Sequence, residues 1–236
     1  MAELIDWCRQ HQSALPDLLS AMRKQLWNAK RDMELGWLCV VAGEAGREGL
    51  LALIDLLGET DSDDVTEAAI PGLKRHACDV YEDLKQALDA SENEGQRDAL
   101  YDVLQGAVVQ GDACLKQDLA DFARHRYREE LREGNVALAL ETVRLLVCLG
   151  EPDAPERLDE VRRHCPPGDV TEGDIGEVAA SLAGSFDPLE LTRGVLREGW
   201  RDTAENLRKL FHPTEQEVKQ LQELTASLAP PDREVH

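Results

Sequence analysis

Aromatic side chains make up only 4% of this sequence, and isoleucine occurs at just four of its 236 positions. Strands favour such residues, and no stretch of useful length alternates apolar with polar, which excludes a β fold. No window holds the roughly 18 consecutive apolar residues that a membrane span requires. The N-terminus, Met1-Ala-Glu-Leu-Ile-Asp-Trp7, lacks a basic n-region and an apolar h-region, so no secretory signal is expected. Metal motifs are missing too. There is no Cys-x-x-Cys, no His-Glu-x-x-His, and no His-Glu pair among the six histidines. Gly43, Gly46 and Gly49 carry a suggestive spacing, but no strand precedes them and no Gly-Lys-Ser/Thr follows, so they read as a turn. Neither cofactor nor catalytic residues are expected.

Positive charge is also in short supply. Lysine and arginine total 26 against 47 acids, a formal net charge of −21. Such a balance repels nucleic-acid phosphates and anionic lipid surfaces. Six cysteines in a chain of this size, without an export signal, are expected to be reduced, and the expected compartment is the cytoplasm.

What remains is helix-forming. Leu, Ala, Glu, Asp and Arg dominate, and hydrophobic residues reach 42%, enough for a core. Leu50, Leu51, Ile54 and Leu57 form one helical stripe; Ala69, Leu73, Ala77 and Val80 form another. Ser91 with Glu94 and Thr214 with Glu217 read as capping boxes, and Asp187-Pro188 and Asp153-Ala-Pro155 as helix starts. Gly58, Gly111 and Gly150 read as stops. Together these signals predict helices over 2–12, 15–28, 31–44, 47–58, 62–77, 79–90, 92–109, 113–132, 135–149, 154–164, 174–183, 188–211 and 214–228.

Cys39, Cys78, Cys114 and Cys148 are separated by 39, 36 and 34 residues. They are expected to occupy one buried repeat position near the end of each hairpin's second helix. Segments such as Glu48-Gly-Leu-Leu-Ala-Leu-Ile-Asp-Leu-Leu-Gly58 and Asp64-Val-Thr-Glu-Ala-Ala-Ile-Pro-Gly-Leu73 fall within hairpins of 35–40 residues. Over residues 15–165 this pattern resembles HEAT or armadillo-type α-solenoid repeats. The resemblance implies an all-α, right-handed solenoid of stacked antiparallel helical hairpins. The second helices lack the usual valine-arginine start, and the third hairpin is longer than the family's. A break at 165–173, with two prolines and two glycines, divides a repeat domain (1–165) from a linker and C-terminal helical hairpin (166–236), expected to pack back as a cap.

Acidity concentrates in residues 48–122, with 18 acids against five bases. Glu67, Asp98 and Asp102 lie beyond the first helical turns, where acids merely complement the helix dipole, and are candidate partner contacts. Arg124, Arg128 and Arg132 form the one basic stripe, interleaved with Glu129, Glu130 and Glu133. They either neutralise neighbouring acidic hairpins or contact a partner. Solenoids of the resembled kind bind along the face lined by each hairpin's second helix, here near 31–44, 62–77, 92–109 and 135–149. The expected function is therefore a non-enzymatic scaffold or regulator that grips a partner protein bearing a basic segment, with no membrane partner and no nucleic acid. Two alternatives stand beside it: an acidic inhibitor or immunity-type protein that blocks a basic toxin or nuclease, and an enzyme on a HEAT-like scaffold, glycosylase-like or lyase-like.

Overall fold

The computed structural model describes residues 2–24, 29–60, 62–166 and 171–211. Trp27, Asp61, the Thr214–Glu217 capping box and the expected helix 214–228 lie outside the described residues. Every regular element among the described residues is helical: α1 (Ala2–Gln10), a 3-10 turn (Gln12–Ala14), α2 (Leu15–Arg23), α3 (Ala29–Ala45), α4 (Arg47–Leu57), α5 (Asp63–Arg75), α6 (Tyr81–Ala90), α7 (Glu94–Gln110), α8 (Ala113–Glu133), α9 (Val136–Leu149), α10 (Ala154–His164), α11 (Thr171–Leu182), α12 (Glu190–Glu198) and α13 (Trp200–Phe211). No described helix is long and apolar enough to cross a membrane.

Packing follows the distribution of apolar residues around each helix. In α7 and α9 they occur on nearly every side, so these helices must be enclosed. They are: α1, α3, α5, α7, α9 and α11 form a series in which each packs against the next. Behind this series α2 packs on α4 and α4 on α6, while α8 and α10 lie against α9. Helices α12 and α13 are sharply one-sided and bury little beyond Leu189, Thr192, Ala204 and Leu207. They lie on the odd-numbered helices, α12 against α5 and α7, α13 against α3 and α5. Where a terminal cap is expected, the described part of the C-terminal region thus runs along the middle of the array. One apolar cluster reaches from Ile5 to Leu207; a second, around Tyr127, Leu140, Leu158 and Ile175, joins α8 to α11.

Some local signals act otherwise than the sequence suggests. Ser91 ends α6, and Asn93 caps α7 by accepting from Gln96 N at 3.1 Å. Ser62 and Asp112 cap α5 and α8 in the same way, from Val65 N and Leu115 N. The expected helix 188–211 is two helices. Gly199 sits at φ 77, outside helical space, and the bend it introduces lets α12 and α13 follow different neighbours. The cysteines share no repeat position: Cys39 is buried inside α3, Cys78 and Cys148 are half-buried, and Cys114 is exposed at the start of α8. All six are free thiols. Trp7 is about half exposed and stacks on His11 at 4.3 Å.

Two contacts set the spacing of the odd-numbered helices. Gly43 of α3 faces Gly72 of α5 so closely that a Cβ on either would stand 3.0 Å from the other's Cα. Gly106 of α7 abuts the Lys74 carbonyl, 2.3 Å from where a Cβ would lie. Farther along, the fully buried Glu130 carboxylate binds α7, α8 and α9 together. It accepts from Arg97 at 3.0 Å, Arg126 at 2.6 Å, Tyr101 at 3.3 Å and Asn135 at 3.1 Å.

Two stability measurements by urea denaturation check these anchors. Gly106→Ala should lose about 1–3 kcal/mol through overpacking, whereas Gly176→Ala, on an open face of α11, should be neutral or gain up to about 1 kcal/mol. Glu130→Ala should lose about 3–5 kcal/mol, because two buried guanidinium groups are left without their shared anion.

Candidate functional site

Three helices of the odd-numbered series place polar residues at helical spacing on one side. Asp98, Asp102 and Gln105 follow one another on α7; Glu141 and Arg144 on α9; Asp174, Glu177 and Ser181 on α11. Arg144 of α9, Glu177 and Ser181 of α11, and Asp102 with Gln105 of α7 converge, with Lys74 of α5, on a cavity of about 270 Å³. Its apolar walls are Val147, Val178, Pro188, Phe186 and Leu191. Phe186 is 47% exposed and Leu191 85%, and both belong to the segment where the chain passes from α11 into α12. Exposed large apolar residues beside converging polar groups mark a binding site more often than an isolated exposed leucine does.

Charge at this site is uneven. Lys74 donates to Asp102 at 2.8 Å and Arg144 lies 3.3 Å from Glu141. Asp98, Asp174 and Glu177 have no such partner among the described residues. Burial is the first cause that pushes the Glu141 carboxyl up to about 7; Arg144 opposes it, while Asp98, Asp102 and Asp174 reinforce it. Burial, then Asp102 and Asp174, likewise raise Asp98. Asp98, Asp102, Glu141 and Asp174 are thus crowded enough to perturb one another beside the cavity, whose own lining holds Asp102 and Glu177 against Lys74 and Arg144. Among the described residues no group of three or more His, Cys, Asp or Glu is placed to hold a metal ion.

The structure brings the three expected acidic contacts together. Glu67 and Asp102 line a cavity of about 320 Å³ beneath α12 and α13. Asp98 and Asp102 share a groove of about 460 Å³ between α5 and α7 with Asp63. Asp102 belongs to both and to the third cavity as well. It is also the counter-ion of the buried Lys74, so it serves the fold as much as the surface.

The arginine stripe lies elsewhere, on α8. Arg124 is held by Asp121, Asp153 and Glu151, which join α8 to the α9–α10 turn. Among the described residues Arg132 reaches only Glu129, at 3.9 Å, and Arg128 is exposed. None of the three lines a cavity with the acids. Asp153, expected as a helix cap, makes no such hydrogen bond; Arg124 and Arg157 both engage one oxygen of its carboxylate. Lys74, Gln105, Glu141, Arg144 and Glu177 carried a weaker signal in the sequence. Glu141 and Arg144 are the sole carboxylate and guanidinium in the otherwise apolar α9, one turn apart.

Compared with known protein families, curated proteins and solved structures, the chain shows no significant match.

The raised Glu141 pKa predicts a stability change of known sign. The unfolded carboxyl ionises near 4.5 and the folded one near 7, so stability is lost as pH rises between these values. Glu141→Gln should therefore stabilise the protein at pH 8, by on the order of 3 kcal/mol at most, and have little effect at pH 4. Thermal unfolding at the two pH values measures the difference.

Proposed function

We propose that this chain is a non-enzymatic binding protein, an α-solenoid scaffold of HEAT or armadillo type, that grips a partner protein carrying a basic segment. The sequential packing of the odd-numbered helices, with the even-numbered ones behind, supports the solenoid part of this reading. Helices α3, α5, α7 and α9 are the second helices of the hairpins, the ones whose face such proteins use for binding. Six free thiols fit a reducing cytoplasmic setting.

The observation that carries the functional part is the crowding of Asp98, Asp102, Glu141 and Asp174 on α7, α9 and α11, beside a cavity whose mouth exposes Phe186 and Leu191. An acidic surface that served solubility alone would scatter its charges over exposed helix faces. Here they gather on neighbouring helices, closely enough to raise one another's pKa values, a repulsion that a bound cation relieves. Helices α12 and α13 already cover α3, α5 and α7 in part, so the surface offered to a partner lies towards α9 and α11.

The test uses a tagged copy recovered from its own host, followed by affinity measurement with the partner obtained. Affinity should fall with added salt, and fall at least about tenfold in the variant Glu67→Gln, Asp98→Asn, Glu177→Gln, at roughly 0.5 kcal/mol per charge. Asp102 is left intact, because removing it would strand the buried Lys74. Unchanged affinity in the triple variant would reduce the acidity to a solubilising coat.

A further inference from the structure

Six large apolar side chains are exposed among the described residues, and three of them, Leu182, Phe186 and Leu191, fall within the stretch that joins α11 to α12. This stretch is held in place. Gly184 turns it at φ 72, and Asp187 accepts from Leu189 N at 3.0 Å and pairs with Arg193. Leu189 is buried, and so is Thr192, which donates to Gln105 of α7 at 2.9 Å. Leu191, between these two anchors, is nevertheless 85% exposed. An apolar side chain kept in water by fixed neighbours differs from one left there by a frayed end, and several together mark a contact surface.

Phe186 and Leu191 border the cavity between α5, α7, α9, α11 and α12, and Val147, Val178 and Pro188 continue its apolar wall. The charges that line it are balanced. Lys74 and Arg144 stand against Asp102 and Glu177, and Lys74 is already paired with Asp102 at 2.8 Å. An ion gains little by entering such a space, whereas an apolar group leaves water. At about 270 Å³ the cavity is just below the range of drug-sized sites, which suits one side chain. A free molecule of that size would leave the exposed Phe186 and Leu191 uncovered. A peptide covers them with the residues on either side of the one that enters. Beside the cavity the balance is different. Asp98, Asp174 and Glu177 make no ion pair among the described residues, and Asp98, Asp102, Glu141 and Asp174 perturb one another. Positive charge is favoured there, next to the apolar anchor and outside it.

We propose that this cavity takes one large aliphatic side chain, such as leucine, from the partner's basic segment, while the segment's cations lie over the carboxylates of α7, α9 and α11. The anchor rests on the binding function proposed above and gives it a side-chain specificity. Attraction and selectivity then have separate sources. The carboxylates supply a salt-sensitive pull, and burial at the cavity supplies a preference that salt does not screen.

Blocked peptides Lys-Ala-Leu-Ala-Lys, Lys-Ala-Ala-Ala-Lys and Glu-Ala-Leu-Ala-Glu, titrated into the whole chain and followed by NMR, provide the test. The leucine–lysine peptide should shift the Phe186 ring and the Leu191 methyl groups. It should bind about tenfold more tightly than its alanine counterpart, as expected for one partly buried leucine side chain. The glutamate peptide should bind more weakly than the leucine–lysine peptide. The double variant Phe186→Ala, Leu191→Ala, at two exposed positions, should keep the wild-type unfolding temperature and bind both lysine peptides alike. Equal affinity of the unaltered chain for the two lysine peptides, or shifts confined to residues away from Phe186 and Leu191, would overturn the anchor. If that equal binding still weakens with salt, the acidic binding face stands without the anchor; if neither lysine peptide binds, both fail. A Phe186 ring that shifts when the chain alone is concentrated would assign this surface to a second copy, and the anchor fails by that result too.

Discussion

Direct contact between helix backbones is the constraint on which the rest of this structure rests. Gly106 leaves no side chain between α7 and α5, so the Lys74 carbonyl comes within reach of both Gly106 and the Gln110 amide, which donates to it at 2.8 Å. At that separation the Lys74 ammonium meets Asp102, one turn before Gly106 on α7. Gly43 and Gly72 bring α3 and α5 together by the same means. A methyl group at any of these positions would push the helices apart, and with them the charged pairs at their edges. The candidate site and the close packing of the array therefore have one origin.

Ionic pairing takes over where α7, α8 and α9 meet. Glu130 has no exposure, and its two oxygens are shared by two guanidinium groups, a phenol and the side-chain amide of Asn135. A buried triad of this kind adds little net stability over an apolar core of equal volume. Its geometry is demanding, however, and it admits only one register among the three helices. Arg124 repeats the device closer to the surface, pairing with Asp121 of its own helix and drawing Glu151 and Asp153 to α8. Arg47, Lys74, Arg75, Lys85 and Arg97 likewise bridge to neighbouring helices. Asp98, Asp174 and Glu177 make no ion pair among the described residues, and Asp98, Asp102, Glu141 and Asp174 on α7, α9 and α11 are crowded enough to disturb one another. A net charge of −21 thereby becomes a local property as well as a global one.

The C-terminal helices change what the array can offer. Thr192 hydrogen-bonds to Gln105 and Leu207 is buried in the main cluster, so α12 and α13 occupy part of the surface that bare repeats would present. Their docking also creates both cavities in which they take part. Val195, Thr203 and Leu207 roof one, and Leu191 with Pro188 and Phe186 forms the entrance to the other. Gly199, the single residue that turns the chain between them, decides how this cover is laid.

The all-helical class could be read from the sequence, because the period of apolar residues and the scarcity of strand formers are local properties. Helix limits were nearly as legible: Gly58, Gly111 and Gly150 directly follow α4, α7 and α9, the last in the left-handed conformation that glycine reaches without strain. Glu67, Asp98 and Asp102 stood out for the same reason, as acids that no helix terminus requires. What the sequence could not show was which partner each charge would find. Arg124, Arg126 and Arg132 look alike along one helix, yet the first ties α8 to the next turn, the second is buried on Glu130, and the third reaches solvent. Glu141 reads as an ordinary helical carboxylate until α7 and α11 bring Asp98, Asp102 and Asp174 beside it and remove the water. Helix formation depends on neighbours within about four residues, which the sequence contains. Burial and charge pairing depend on residues 30 to 90 positions away, and only the tertiary packing places those side by side.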